Sequence, residues 1–469
     1  MMRSKPRRRL LLALMLGTLV SFLQAAEHFD PMVGDAVKHL LEHNREYQKA
    51  LADRQKAHLN VIETGAAALP SLSLTATGTR LGNIQSFNFE TSDTTSMLLA
   101  VAAEDNYEIG LQATQLLFSG SAFQAIGVAR SYERVSESAL AVQRAALVRD
   151  FLGGYAGLDL LRELVVLNEE LVTQTKARFD DAKLLHEMGA LSRFDLLRSE
   201  VEYMNSVPAL REAENLLGQA EAGLVLQLGL APGTTLGTHG FDPVCSDFEQ
   251  QFPGVLDGTA MLNPVSDAEL GRMLEFALSH RPESDLSLNS VEGYRRAVRV
   301  YQSGHLPTLA AFANWTRGNQ WDMFSQSEQW NSSWNVGVQL SVPLFTGFRT
   351  SAQVSKGRQD LRKAREDDSQ LKDAIRLELR TALEELQRRS LDMNAWNRNS
   401  DVAAEGFGIA ATRRESGAGS ELELRDARTA MKAARVNQAQ ARYNLLKARI
   451  SLLHALGMLD RTTYTDINN

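Results

Sequence analysis

The chain has 469 residues, 44% of them hydrophobic and 23% charged, and its 57 acidic side chains outnumber 50 lysines and arginines to give a formal charge of −7. That balance excludes a general nucleic-acid binder, whose electrostatic footprint is basic. A single cysteine, Cys245, excludes an intrachain disulfide, so stability has to come from packing and assembly.

At the start, Arg3, Lys5, Arg7, Arg8 and Arg9 precede an apolar run from Leu10 to Leu23 and then Gln24-Ala25-Ala26. This is the layout of a secretory signal peptide over residues 1–26. Its removal takes those five cations away and leaves the remainder more acidic. Cys245 is far from the cleavage region, so it is not the lipidated first residue of a lipoprotein, and in a proline-rich connection it reads as incidental. No later segment offers about 18 consecutive apolar residues, the length a helix needs to cross a bilayer. An exported chain of this kind is either soluble outside the cytoplasm or a β-barrel. His39-Leu40-Leu41-Glu42-His43 spells H-x-x-E-H, a zinc-protease pattern. It lies in what reads as the first helix of a repeat, with no other sign of a protease, so we expect no enzyme, no metal and no cofactor.

Next come segments of alternating character, each about ten residues long, the span of a tilted membrane strand with one lipid and one aqueous face. After Leu69-Pro70, near 70–80, Leu72, Leu74 and Ala76 alternate with Ser71, Ser73, Thr75 and Thr77. Near 107–118, Tyr107, Ile109, Leu111, Ala113 and Gln115 alternate with Glu108, Gly110, Gln112 and Thr114. A second pair follows Leu306-Pro307, near 307–317 and 333–345, where Trp334, Val336, Val338, Leu340 and Val342 stand against Asn335, Gly337, Gln339 and Ser341. Polar segments from Gly82 to Asn106 and from Gly318 to Ser333 read as loops outside the membrane. Trp315, Trp321, Trp330 and Trp334 are candidate membrane-interface aromatics. Four strands cannot close a barrel, and lipid supplies no partner for edge N–H and C=O groups, so oligomerisation is required; strand arithmetic alone does not choose among dimer, trimer and tetramer.

Long helices follow each strand pair. No proline lies between Pro70 and Pro208 or after Pro343, whereas Pro232, Pro243, Pro253, Pro264 and Pro282 cluster in the middle. Leu160, Leu164, Leu167 and Leu171, and again Ile375, Leu379, Leu383 and Leu386, fall at helical spacing as seams for neighbouring helices. One helix over 121–187 would be roughly 100 Å long at about 1.5 Å per residue. The alternative is two shorter helices broken near Gly153-Gly154.

The landmarks come twice. Leu117-Phe118-Ser119-Gly120 returns 227 residues later as Leu344-Phe345-Thr346-Gly347. Gly189-Ala190-Leu191-Ser192 returns as Gly417-Ala418-Gly419-Ser420, and Leu228-Gly229 as Leu456-Gly457, both 228 residues on. Such register is kept by rigid helices and lost in loops. The expected organisation is a signal peptide at 1–26, a first repeat at 27–230, a connection at 231–266, a second repeat at 267–460 and a C-terminal tail at 461–469.

In this order of helix, strand pair, Leu-Phe-Ser/Thr-Gly, long helix, Gly-x-x-Ser turn and returning helix, all doubled, the chain resembles the TolC family of outer-membrane efflux proteins, the outer-membrane factors. The resemblance implies a mainly α fold with β. Long antiparallel helices would form an α-helical barrel, and four strands per protomer would contribute to one twelve-stranded transmembrane β-barrel in a homotrimer. It implies a place in the bacterial outer membrane, extending into the periplasm. The function implied is the exit duct of a tripartite efflux pump or type I secretion system. Its partners would be a periplasmic adaptor (membrane fusion) protein and an inner-membrane transporter. With no Walker loop in the chain, energy would come from those partners. The substrate, whether drug, metal or secreted protein, stays open, although no methionine or histidine cluster points to metal. The competing class, a periplasmic or surface coiled-coil protein without a conduit, explains the seams but not four alternating segments in matching places.

By the same resemblance, Gly189, Ala190, Leu191 and Ser192, with Gly417, Ala418, Gly419 and Ser420, form the periplasmic tip that contacts the adaptor. Carboxylates on the returning helix would form the pore constriction, here Glu423 and Asp426, with Asp195 in the first repeat where the second has Glu423. A triple ring of them would attract cations; the bland alternative is a solvated helix face. One departure is that the family's tip often carries threonine and a basic residue, where this chain has Ala418 and Gly419. Arg413, Arg414, Arg425 and Arg428 are near enough in sequence to pair with the acids and hold the tip shut. Exposed pairs are individually weak, so such a latch has to be a network.

Overall fold

The computed structural model describes residues 28–92, 95–100, 102–237, 241–244, 249–250, 252–255, 267–322, 327–459 and 463–466. The signal peptide expected at 1–26, Cys245 and parts of the connection at 231–266 lie outside the described residues. In chain order the first half contains β1 (His28–Phe29), α1 (Val33–His43), α2 (Arg45–Ala66), β2 (Ser71–Arg80), β3 (Ser86–Ser92), β4 (Thr95–Ala100), β5 (Asp105–Ser119), α3 (Gly120–Glu187), α4 (Arg193–Leu228), β6 (Thr235–Leu236) and β7 (Phe241–Val244). The second half contains α5 (Asp267–His280), α6 (Pro282–Ser303), β8 (Thr308–Asp322), β9 (Ser327–Ser341), α7 (Arg349–Glu415), α8 (Glu421–Ala455) and β10 (Thr463–Asp466). Contacts divide the chain into two compact units: Met1–Ala52, Ala139–Ser284 and Leu371–Asn469 form one, Asp53–Ser138 and Asp285–Gln370 the other.

The second of these units holds an antiparallel four-stranded sheet of order β2-β5-β8-β9. Its central pair, β5 with β8, joins a strand of each half of the chain. Polar composition does not stop β8 and β9 where a loop was expected, because polar side chains continue the pairing: buried Asn319 accepts from the Tyr107 N–H and donates to the Asp105 carbonyl across the β5–β8 seam. The two strands therefore pair as far as Asp322 and Ser327. Within the other expected loop, β3 and β4 form a separate hairpin. The junctions into the long helices differ. β5 runs straight into α3, with the Ser119 hydroxyl accepting from the Ala122 N–H at 3.3 Å as a cap. Residues 342–348 separate β9 from α7, and Gly347 and Phe348 both take left-handed backbone, φ 61° and 62°. Such a φ is uncommon for a bulky side chain.

The other unit contains a hydrophobic core of residues from α1, α3, α4, α5, α7 and α8. The second seam lies in it, with Ile375, Leu379, Leu383 and Leu386 no more than 2% exposed. In the first seam only Leu167 is buried, and Leu160, Leu164 and Leu171 are half-buried. α3 is continuous through Gly153-Gly154, as one long helix over 121–187 requires, and the alternative of two shorter helices does not hold. Gly154 is a packing notch, since a Cβ there would meet Leu224 of α4 at 3.1 Å. Proline does not always mark an end, because Pro208 lies inside α4, where it withholds one helical N–H.

All four long-helix ends share one cap. Gly189, Gly229, Gly417 and Gly457 have φ of 72° to 76°. At each, the glycine N–H bonds back three residues and the next N–H bonds back five, as with Ala190 to Leu185, Leu230 to Val225, Ala418 to Arg413 and Met458 to Leu453. This is the Schellman arrangement, which an L residue with a Cβ would strain by about 1–2 kcal/mol. Two of these glycines also admit a close neighbour. A Cβ on Gly229 would meet the His43 carbonyl oxygen at 2.8 Å, and one on Gly457 would meet the His280 carbonyl group at 2.7 Å. The residue after each histidine then caps the returning helix: Asn44 Nδ2 donates to the Gln227 carbonyl at 2.8 Å, and Arg281 Nη1 reaches the Ala455 carbonyl at 3.4 Å.

Candidate functional site

Two regions carry functional expectations, and they are taken in turn. In the sheet, strand register lines up side chains in rows across all four strands. Leu72, Ala113, Ala313 and Val336 form one row, and Leu74, Leu111, Trp315 and Trp334 the next. On the opposite face lie Ser73, Gln112, Asn314 and Asn335, then Thr75, Gly110, Thr316 and Ser333. The polar rows bond to one another, Asn314 to Asn335 at 2.9 Å and Thr316 to Ser333 at 2.8 Å. The apolar rows are open: Leu72, Leu74, Val336 and Val338 are each at least 63% exposed. An uncovered apolar sheet face of this kind marks a surface meant for lipid or protein.

Of the four aromatics singled out, Trp315 and Trp334 are cross-strand neighbours, Trp330 faces Asn319, and Trp321 faces Glu328. Sequence reasoning passed over the aromatics at the strand–helix junctions, having taken Leu-Phe-Ser/Thr-Gly only as a repeat landmark. Phe345 and Phe348 are 75% and 76% exposed and meet edge-on at 5.5 Å, while Phe118 and Phe123 pair at 6.4 Å. The matching phenylalanine in both landmarks was the available signal.

In the other unit, the Gly-x-x-Ser segments are turns between antiparallel helices, α3 to α4 and α7 to α8. Each begins with its left-handed glycine and ends in a serine cap. Ser192 Oγ accepts from the Asp195 N–H, and Ser420 Oγ from the Glu423 N–H, both at 3.1 Å. Ala190, Ser192, Ala418 and Ser420 are exposed, and Leu191 and Gly419 are half-buried. The pattern S-x-x-D/E, a capping box in sequence, thus holds both turns.

The three candidate constriction carboxylates are all exposed, and all are engaged. Asp195 accepts from the hydroxyl of its own cap, Ser192, at 2.6 Å. Glu423 pairs with Arg413 at 3.2 Å, and Asp426 with Arg425 at 3.5 Å. Glu421, beside them, meets Arg414 at 3.2 Å and Arg178 of α3 at 3.6 Å. Arg428 takes no part in these pairs and stands over the Phe407 ring at 5.6 Å. The H-x-x-E-H histidines do not converge on a common point: the rings of His39 and His43 stack at 4.1 Å, and His43 Nδ1 lies 3.1 Å from the His39 carbonyl. No helix among the described residues is long and apolar enough to cross a membrane.

The model of the family described as outer membrane efflux protein matches residues 275–458. Over that stretch the chain is similar to that family. It is a family of efflux channels rather than enzymes. Among similar proteins, the outer membrane efflux protein BepC of Brucella suis is 23% identical over 305 residues, covering 63% of this chain and 60% of BepC. The alkaline protease secretion protein AprF of Pseudomonas aeruginosa is 22% identical over 334 residues, covering 70% of this chain and 65% of AprF. The matched stretch thus spans less than two thirds of either relative. Among solved structures, that of CusC, determined in work on its folding and transmembrane channel formation, superposes with a TM-score of 0.70 at 20% identity, over 93% of this chain and 95% of CusC. The fold is therefore that of the TolC-like outer-membrane channels, and this chain has the long helices and a four-stranded sheet.

Proposed function

We propose that this chain is the outer-membrane exit duct of a tripartite efflux pump or type I secretion system, working as a homotrimer. The observation that carries the proposal is the sheet. It has one apolar and one polar face, and its edge strands β2 and β9 have no further partner within the sheet. A spanning sheet has to satisfy every backbone N–H and C=O, so copies of β9 and β2 from neighbouring protomers would pair until the barrel closes. Three copies would give the twelve strands of the resembled family, with the apolar rows toward lipid and the bonded polar rows toward water. Trp315, Trp321, Trp330 and Trp334, with Phe345 and Phe348, would mark the membrane interface.

The protein lies in the outer membrane and extends into the periplasm. There the two turns, Gly189–Ser192 and Gly417–Ser420, would meet the periplasmic adaptor, which links the duct to an inner-membrane transporter. Glu423, Asp426 and Asp195 would form the constriction, held by the arginine pairs described above. The names of BepC and AprF support efflux and protein secretion alike, and both push cargo through one tube. The proposed division of the chain remains a signal peptide at 1–26 and repeats at 27–230 and 267–460 around a connection at 231–266.

The test is planar-bilayer conductance of the purified, detergent-extracted protein with its mass measured in parallel. Discrete cation-selective openings from a trimer are expected. A monomer without channels would overturn the duct and leave a periplasmic helical scaffold. Unchanged cation selectivity in Glu423→Ala and Asp426→Ala channels would remove those carboxylates from the pore.

A further inference from the structure

Beside the tip pairs, and sharing Arg178 and Arg425 with them, α3, α4 and α8 line a half-open cavity of about 450 Å³. Its wall on α8 carries Arg425, Arg428, Lys432 and Arg435, whose spacings of three, four and three place them along one helix face. Arg178 of α3 adds a fifth cation, and only two carboxylates, Glu170 and Glu202, line the same cavity.

The cations are not saturated by these acids. Arg178 stands 3.7 Å from Glu202 and 3.6 Å from Glu421, Arg425 3.6 Å from Glu202 and 3.5 Å from Asp426, and Arg435 3.7 Å from Glu170. Each distance exceeds that of a good N–H···O hydrogen bond, so the pairs are loose. Elsewhere in the same unit Arg162 meets Glu221 at 2.9 Å and Arg281 meets Glu378 at 2.6 Å. Two donors at the cavity, Nη2 of Arg178 and Nε of Arg428, are buried with no hydrogen-bond partner. Lys432 Nζ has the neutral amide of Asn168 at 3.2 Å. Burial lowers the pKa values of both Arg428 and Lys432, and the Arg178 charge lowers that of Arg428 further. A buried N–H without a hydrogen bond carries a cost that an incoming acceptor removes.

We propose that this cavity is an oxyanion-binding site, taking a small phosphate- or sulfate-bearing solute between Arg178, Arg428 and Lys432. Two guanidinium groups and an ammonium supply both the forked geometry and the point charge that such groups prefer. The excess of positive charge selects for a ligand with two negative charges over chloride. The site rests on the geometry of one chain and does not depend on the duct.

The test is titration calorimetry of inorganic phosphate into the full-length, detergent-purified protein at low ionic strength, where screening is weakest. Saturable binding of one phosphate per chain is expected, with chloride at equal ionic strength failing to compete. Arg428→Gln with Lys432→Gln should weaken it by about tenfold or more, since two charge-assisted bonds are lost. Arg380→Gln, on an exposed pair with Glu384, should leave binding unchanged. Glu202→Gln should tighten binding, a gain that a damaged fold cannot mimic. No saturable uptake, binding in the double variant within about twofold of the parent, or weakening by Glu202→Gln would each overturn the site.

Discussion

The tip ends and the inner ends of the two helical hairpins use the same backbone device in opposite surroundings. Gly189 and Gly417 at the tips, and Gly229 and Gly457 at the inner ends, share one φ and one bonding pattern. Around Gly189 and Gly417 a Cβ would find open space, while at Gly229 and Gly457 it would strike the backbone of the helix end lodged against it. One sequence signal thus serves two purposes. At the inner ends glycine lets backbones pack into a core, and at the tips it only reverses the chain. The tips are left free to vary their side chains, which suits a surface that meets other molecules.

Substitution should separate the two ends. Gly457→Ala combines left-handed strain with a 2.7 Å approach to His280, and we expect a loss well above the roughly 1–2 kcal/mol of strain alone. Gly189→Ala meets nothing and should lose only that strain. Thermal unfolding followed by circular dichroism measures both. Equal shifts would mean that the packing difference has no energetic weight.

The two inner ends can be compared in turn. Asn44 caps with a neutral amide and also accepts from the Tyr47 N–H, whereas Arg281 is buried against Glu283 and Glu378. Arg281→Ala strands those carboxylates and should cost about 3 kcal/mol, toward the low side for a broken buried pair because Glu378 is 43% exposed. Asn44→Ala should cost about 1 kcal/mol as a lost helix cap. A larger loss from Asn44→Ala than from Arg281→Ala would reverse this ranking.

Acid should weaken the second inner end selectively. Hydrogen bonding to His454, and then the Arg281 guanidinium, hold the Glu378 carboxyl at about 2, below its ordinary 4.5, against the opposing effect of burial. A carboxyl depressed on folding adds stability that is complete above its unfolded pKa and is lost as pH falls toward the folded one. Melting temperature should therefore drop between about pH 5 and pH 2, and Glu378→Gln should flatten part of that drop. An identical acid profile in the variant would exclude Glu378 as a contributor. The first inner end has Leu226 at the position matching His454, so it lacks this pair.

Much of this was legible in the sequence because helices keep register. The 228-residue spacing found the capping glycines, and strict alternation found the four strands of the sheet. The β3–β4 hairpin was missed inside a polar segment, although Phe87 and Phe89 alternate with Ser86, Asn88 and Glu90. Asn44 and Arg281 were invisible as equivalents, because they share no chemistry and stand 237 residues apart, out of step with the repeat. The basic face of α8 could have been read from its spacing. Its partner Arg178 comes from another hairpin and only the fold brings it there.

The smallest effect should come from the tip charges, and there the contrast with the inner ends is sharpest. Arg413 with Glu423 and Arg414 with Glu421 are about half-exposed pairs, each worth about 0–1 kcal/mol in water. Arg413→Ala with Arg414→Ala should therefore shift unfolding by no more than about 1–2 kcal/mol. The same change leaves Glu423 and Glu421 free of two of their cations, so its effect belongs in conductance: openings should become more frequent and more cation-selective, and salt should shrink the difference from the parent. A marked loss of stability with unchanged conductance would make these arginines part of the scaffold, like Arg281, and the two ends of the hairpin would differ in exposure alone.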